Sequence, residues 1–109
     1  MNRTNSTTGA IIQYLMARGH LAHRNNTTGI YDPRTGRWRS IARGSRGVGD
    51  ILCCVKGGYW LEIEVKTGKD KPSVSQLQRR ERVERTRGVY LVASSFDDFL
   101  EKFLKAEFR

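Results

Sequence analysis

The sequence predicts an α/β domain in which a central mixed sheet is flanked by helices. Three observations carry that prediction. Residues 61–66 alternate apolar Leu61, Ile63 and Val65 with polar Glu62, Glu64 and Lys66, the period-two pattern of a half-buried strand. Residues 89–93, VYLVA, form a continuous apolar run suited to a strand buried on both faces. At each end of the chain apolar residues recur at helical spacing: Ala10, Ile11, Tyr14 and Leu15 first, then Phe96, Phe99, Leu100, Phe103 and Leu104.

Thr7 or Thr8 caps a first helix running to about Arg18, and Gly19 stops it. The polar stretch after it reads Asn25-Asn26-Thr27-Thr28-Gly29. Tyr31-Asp32-Pro33-Arg34-Thr35-Gly36 follows as a turn between short strands, the second being Trp38 to Ile41. Residues 42–49, with three glycines, make a flexible basic loop. Asp50 to Val55 and Tyr59 to Lys66 form a hairpin. A two-residue Gly57-Gly58 loop sets Asp50 opposite Val65, off the Glu64 face. A three-residue Lys56-Gly57-Gly58 loop pairs Val55 with Tyr59 and brings Asp50 beside Glu64. Ser73 or Ser75 caps a second helix to about Arg87, ended by Gly88. With the strands on either side it makes a βαβ crossover. Ser95 and Asp98 form a capping box for the last helix.

The chain has 109 residues, 38% of them apolar, which suits a single domain over residues 1–109 with one modest core. No run approaches the ~18 to 20 apolar residues of a membrane span, and the N-terminus lacks a signal-peptide core. The expected location is cytoplasmic, in a bacterial or phage-infected cell. Cys53 and Cys54 are adjacent, so on a strand they face opposite ways and do not pair. Nor do adjacent thiols make a zinc spacing. His20 and His23, three apart with no third ligand, read as surface or DNA-contact residues. The formal charge of +9 is local in origin. Arg34, Arg37, Arg39, Arg43 and Arg46 lie in a stretch without acids. Arg79, Arg80, Arg82, Arg85 and Arg87 crowd residues 79–87. Such a balance favours a polyanion, and the arginine excess favours bidentate grip on phosphate. Trp38 either stacks on an opened base or packs.

The strand face of Glu62, Glu64 and Lys66 reads either as a solvated face or as a metal site. Two converging carboxylates with an amine two residues beyond suit metal-assisted phosphodiester hydrolysis. Mg²⁺ takes hard oxygens and keeps several waters, so one or two carboxylates suffice. The lysine then orients or helps deprotonate the attacking water, or stabilises the phosphorane.

GVGD at 47–50, EIEVK at 62–66, SQLQ at 75–78 and GVYLVASSFDDF at 88–99 together resemble the VRR-NUC family of the PD-(D/E)xK nuclease superfamily. The resemblance extends to the segment at 25–29 and spans nearly the whole chain in family order. It implies a PD-(D/E)xK, restriction-endonuclease-like core. It also implies a divalent-metal-dependent DNA endonuclease using Mg²⁺, with Mn²⁺ as substitute. Carried onto this chain, Asp50 and Glu64 are the metal carboxylates, Val65 lends its backbone carbonyl, and Lys66 is the catalytic lysine. Gln78 matches the motif glutamine lining the site. Ser75 is read as a helix cap before a catalyst, and Glu62 as supporting or structural. Many relatives carry a glutamate on the first helix, where this chain offers Gln13, a poorer Mg²⁺ ligand. Stand-alone relatives of this size imply a homodimer resolving four-way (Holliday) junctions. The basic segments, with Arg34, Arg37, Arg39, Arg43, Arg46, Arg79 and Arg80, are then the grip on branched DNA. The competing readings are a repair- or restriction-type nuclease acting on flaps or linear DNA, and a basic nucleic-acid-binding module without catalysis.

Overall fold

The computed structural model describes residues 3–25, 30–39 and 46–108. The elements are α1 (Arg3–Ala17), β1 (Leu21–Arg24), β2 (Ile30–Asp32), β3 (Arg37–Arg39), β4 (Ile51–Val55), β5 (Tyr59–Val65), α2 (Val74–Arg85), β6 (Val89–Ala93) and α3 (Phe96–Lys105). Four strands form one sheet in the order β1-β4-β5-β6, and β2 with β3 forms a separate hairpin. The β1–β4 and β4–β5 pairs are antiparallel and β5–β6 is parallel, so the sheet is mixed.

The β4–β5 hairpin takes the three-residue loop. Val55 pairs with Tyr59, and Gly58 N–H donates to the Val55 carbonyl at 2.9 Å. Gly57 and Gly58 both have positive φ, a conformation side-chain-bearing residues rarely adopt. Register then runs back to Ile51 opposite Ile63. Ile51, Cys53, Val55, Leu61, Ile63 and Val65 line one face of the sheet and pack against Ile11 and Leu15 of α1 and Phe99 of α3. Tyr14 meets Phe96, Phe99 and Phe103 edge-on at 5.8 to 6.2 Å, so the Phe stripe is core. Cys53 is buried in this core and Cys54, on the other face, is exposed. The opposite face carries Glu62 and Glu64; α2 packs over its β6 side and reaches Glu62 through Arg79.

Several expectations change in the structure. α1 begins at Arg3, so Thr7 and Thr8 lie inside it. The early turn is held from outside the helix: Thr4 Oγ1 meets Thr67 Oγ1 at 2.9 Å, and buried Thr8 bonds back to the Thr4 carbonyl at 2.8 Å. β1 is an additional strand. Four residues, three of them exposed, give it no sequence signal, and it exists by pairing with β4. The short strand at Trp38 starts at Arg37, and Ser40, Ile41 and the loop to residue 45 lie outside the described residues, as do residues 26–29. β6 is an edge strand rather than one buried on both faces, and Val89, Leu91 and Val92 are only half-buried. On its outer side Lys102 Nζ donates to the Val92 carbonyl at 2.6 Å, which blunts the edge. The left-handed residue after α2 is Arg87 (φ 67°), not Gly88. Gly88 is required for a different reason: a Cβ there would lie 2.9 Å from Val83 Cγ1.

Candidate active site

Asp50 sits in the bend before β4, one residue ahead of the Ile51–Ile63 pair, and therefore beside Glu64. Two glycines make that bend possible. A Cβ on Gly47 would lie 2.1 Å from the Ser75 carbonyl oxygen, and one on Gly49 would lie 2.8 Å from that of Ile63. The segment is pressed between α2 and β5 at distances only glycine permits. Tyr90, buried, donates its hydroxyl to the Gly47 carbonyl at 2.9 Å. Asp50 accepts the Val65 N–H at 2.8 Å through Oδ2, and its own carbonyl accepts from Asn25 at 2.7 Å.

Glu64 is 6% exposed, and the Asp50 carboxyl and the Gln76 amide are near enough to act on its proton. Burial first, then the Asp50 charge, push its carboxyl up to about 7, with Lys66 pulling the other way. Lys66 Nζ lies 3.8 Å from Glu64 Oε1, and its own N–H donates to the Ala93 carbonyl just past the end of β5. Asp50, Glu64 and Lys66 are thus gathered on one face. The donor set fits a divalent hard cation. Two carboxylates forced together in a half-buried hollow have their mutual repulsion relieved by a +2 charge, and both offer oxygen. Among the described residues no group of three or more His, Cys, Asp or Glu side chains is placed for a metal, so the carboxylate set is this pair.

Glu62, two residues away on the same face, has a different environment. It is fully buried and fully bonded. Arg79 grips it with Nε at 3.1 and 3.2 Å and Nη2 at 2.6 Å. Trp60 Nε1 donates to it at 2.7 Å and Gly49 N–H at 3.2 Å. Glu62 is therefore a scaffold that ties α2 and the Gly49–Asp50 bend to β5.

The sequence SVSQLQ contains two overlapping S-x-x-Q frames, 73–76 and 75–78. The capping box belongs to the first. Ser73 Oγ accepts from Gln76 N–H at 3.2 Å, and Gln76 Oε1 accepts from Ser73 N–H at 2.8 Å. Gln76 is thus the glutamine at Glu64, whereas Gln78 is exposed and lines an open groove with Arg46, Ser75 and Arg82. The signal for Gln76 was the capping box itself. Ser75 is the second residue of α2, not its cap. Gln13 is exposed on α1, beside Asn5, Gly9 and Arg24.

The arginines divide. Arg79 is committed to Glu62 rather than to solvent, and Arg80 pairs with Glu84 at 2.7 Å. Arg34 is exposed on the β2–β3 turn, 3.6 Å from Asp32. Arg37 and Arg46 are exposed; Arg43 and the Arg39 side chain lie outside the described residues. His20 Nδ1 accepts from Lys56 N–H at 3.0 Å and its ring stands edge-on to Phe103, so it is a packing residue. Burial, then Lys56, hold its pKa below the usual value. His23 is exposed.

No family model and no curated protein sequence matches the chain. A solved structure described as a VRR_NUC domain superposes on it with a TM-score of 0.71. The overlap covers 98% of this chain and 100% of that one, at 19% identity. The chain has the fold of a VRR_NUC domain. The α1–β–α2–β6–α3 frame of a VRR_NUC fold is accordingly what carries Asp50, Glu64 and Lys66. No described helix is long and apolar enough to cross a membrane.

Proposed function

We propose that the protein is a divalent-metal-dependent DNA endonuclease that hydrolyses phosphodiester bonds. The observation that carries the reading is the Asp50–Glu64 carboxyl pair beside Lys66, held by the Val65 N–H on a VRR_NUC fold. Asp50 and Glu64, with the Val65 carbonyl, would hold Mg²⁺ or Mn²⁺. When bound, such an ion supplies a water of lowered pKa and positive charge against the phosphate. Lys66, half-buried at the mouth, orients the attacking water and offsets charge on the phosphorane oxygens. The Gln76 amide fixes the Glu64 carboxyl, and Glu62 with Arg79 keeps the Asp50 bend in place. Exposed Arg34, Arg37 and Arg46 contact DNA backbone.

The substrate we propose is branched DNA, in particular a four-way junction, cut by a homodimer. One 109-residue chain offers one such site, and a C2 pair presents two sites for paired cuts. The test is cleavage of a labelled four-way junction beside its linear arms, with Mg²⁺, Mn²⁺ or EDTA, for wild type and Lys66→Ala. Paired symmetric cuts confined to the junction, lost with EDTA and in the variant, are expected. DNA retarded but uncut in every lane would make the protein a binding module.

A further inference from the structure

We propose that one flank of α2 is a binding groove for single-stranded DNA, with Trp60 as the platform on which an unpaired base stacks. Two adjoining hollows make the groove, of about 350 Å³ and about 290 Å³. The first is walled by Arg46, Ser75 and Gln78, the second by Trp60, Val83 and Thr86, and Arg79 and Arg82 border both. Three features fit this groove to nucleic acid.

Trp60 is a large apolar ring left 42% exposed at the start of β5. One edge of its pyrrole ring is held at two neighbouring atoms. Its indole N–H is bonded to buried Glu62 at 2.7 Å, and its Cδ1 edge rests against Gly88, where a Cβ would come within 3.2 Å. A ring held this way loses little entropy when a base stacks on it. Second, the wall carries an excess of positive charge, four arginines against the single acid Glu81. Arg79 and Arg85 are paired with Glu62 and Glu81, whereas exposed Arg46 and Arg82 have no acidic partner among the described residues. Ser75 and Gln78 add neutral hydrogen-bonding groups. Third, the groove runs alongside the candidate active site. Trp60 is four residues from Glu64 on one strand, about 13 Å at about 3.3 Å per residue. That is the length of about four stacked nucleotides at about 3.4 Å each.

A duplex has no free base face for Trp60, so the groove selects DNA with an unpaired segment within a few nucleotides of the scissile phosphate. Among four-way junctions, one with an unpaired segment near the cut should then be bound more tightly than a fully paired one. This proposal rests on DNA being the substrate of the Asp50–Glu64 site, but it is tested by binding alone.

The experiment is fluorescence anisotropy of labelled oligo(dT) and of a duplex of equal length, in EDTA across a salt series. It compares wild type, Trp60→Ala, Trp60→Phe and Arg82→Gln. Trp60→Ala is expected to weaken oligo(dT) binding about 5- to 100-fold, while Trp60→Phe, which keeps a stacking face, stays within about threefold of wild type. Arg82→Gln should lower the log–log salt slope for oligo(dT) by about 0.7. Duplex affinity should change by less than about twofold in both Trp60 variants. In a Trp38→Phe background Trp60 is the remaining tryptophan, and oligo(dT) should quench its emission. Wild-type affinity in Trp60→Ala overturns the proposal. So does an equal loss in Trp60→Phe, which would make the indole only a partner for Glu62, or an equal loss for duplex. Failure of the nuclease reading shows separately, as wild type that cuts nothing in Mg²⁺.

Discussion

Glu62 and Glu64 sit two residues apart on one strand face, and their surroundings give them opposite tasks. Glu62 is structural: every bond it makes is to a donor, and Arg79 pairs with it at 2.6 Å. Glu62→Ala leaves the Arg79 guanidinium, half-buried, without a counter-charge. Breaking a buried pair in this way costs about 3–5 kcal/mol, to be read from urea denaturation. Glu64 has no such donor set. Its carboxyl, raised from 4.5 to about 7, favours the proton in the folded state. Between those pH values the folded chain binds more proton than the unfolded chain, so raising the pH lowers stability. In EDTA the protein should therefore lose up to about 3 kcal/mol between pH 4.5 and 7 through this group, and level off above. Glu64→Gln should flatten that slope, and saturating Mg²⁺ should reverse it. Thermal melts across pH check all three. Burial raises the Cys53 thiol to about 11, so it stays a core thiol rather than a nucleophile.

At the scale of elements, the ends of α2 are the informative places. Its start carries the reciprocal Ser73–Gln76 box, which also holds Gln76 at Glu64. Ser73→Ala should cost about 0.5–2 kcal/mol by thermal melting. It should also lower cleavage more than an equally destabilising change far from the site. At its other end, Arg87 N–H bonds the Glu84 carbonyl and Gly88 N–H the Val83 carbonyl, a Schellman closure whose left-handed position holds Arg87. Arg87→Gly should stabilise the protein by about 0.5–1 kcal/mol, since glycine removes the left-handed penalty. α1 closes by the same pattern through Gly19 (φ 88°), where the expected residue is already in place. The places of these ends were legible in the sequence because caps are local chemistry, but the choice of Ser73 over Ser75 and of Arg87 over Gly88 was not. β1, the edge position of β6 and the early start of α1 were not, because each depends on a partner far along the chain: β4, the strand order, and Thr67.

For the whole molecule, the +9 charge predicts DNA binding that falls steeply with salt. The log–log slope should be about −0.9 per duplex phosphate neutralised, measurable by anisotropy. Sedimentation of the chain alone and with a four-way junction would test the dimer.

The sequence by itself determined the α/β class, the hairpin and the Phe helix as core, and its resemblance to the VRR-NUC family supplied the candidate triad Asp50, Glu64 and Lys66. The first three follow from period-two and helical spacing and from turn residues, which act over a few positions; the loop length that sets Asp50 beside Glu64 was decided by the structure. Only the tertiary structure decided which glutamine meets Glu64, that Arg79 serves Glu62 rather than solvent, and that Tyr90 and two glycines hold the Asp50 bend. These are contacts between α2, β5 and β6, set by close packing of backbone and side chains at distances no local pattern encodes.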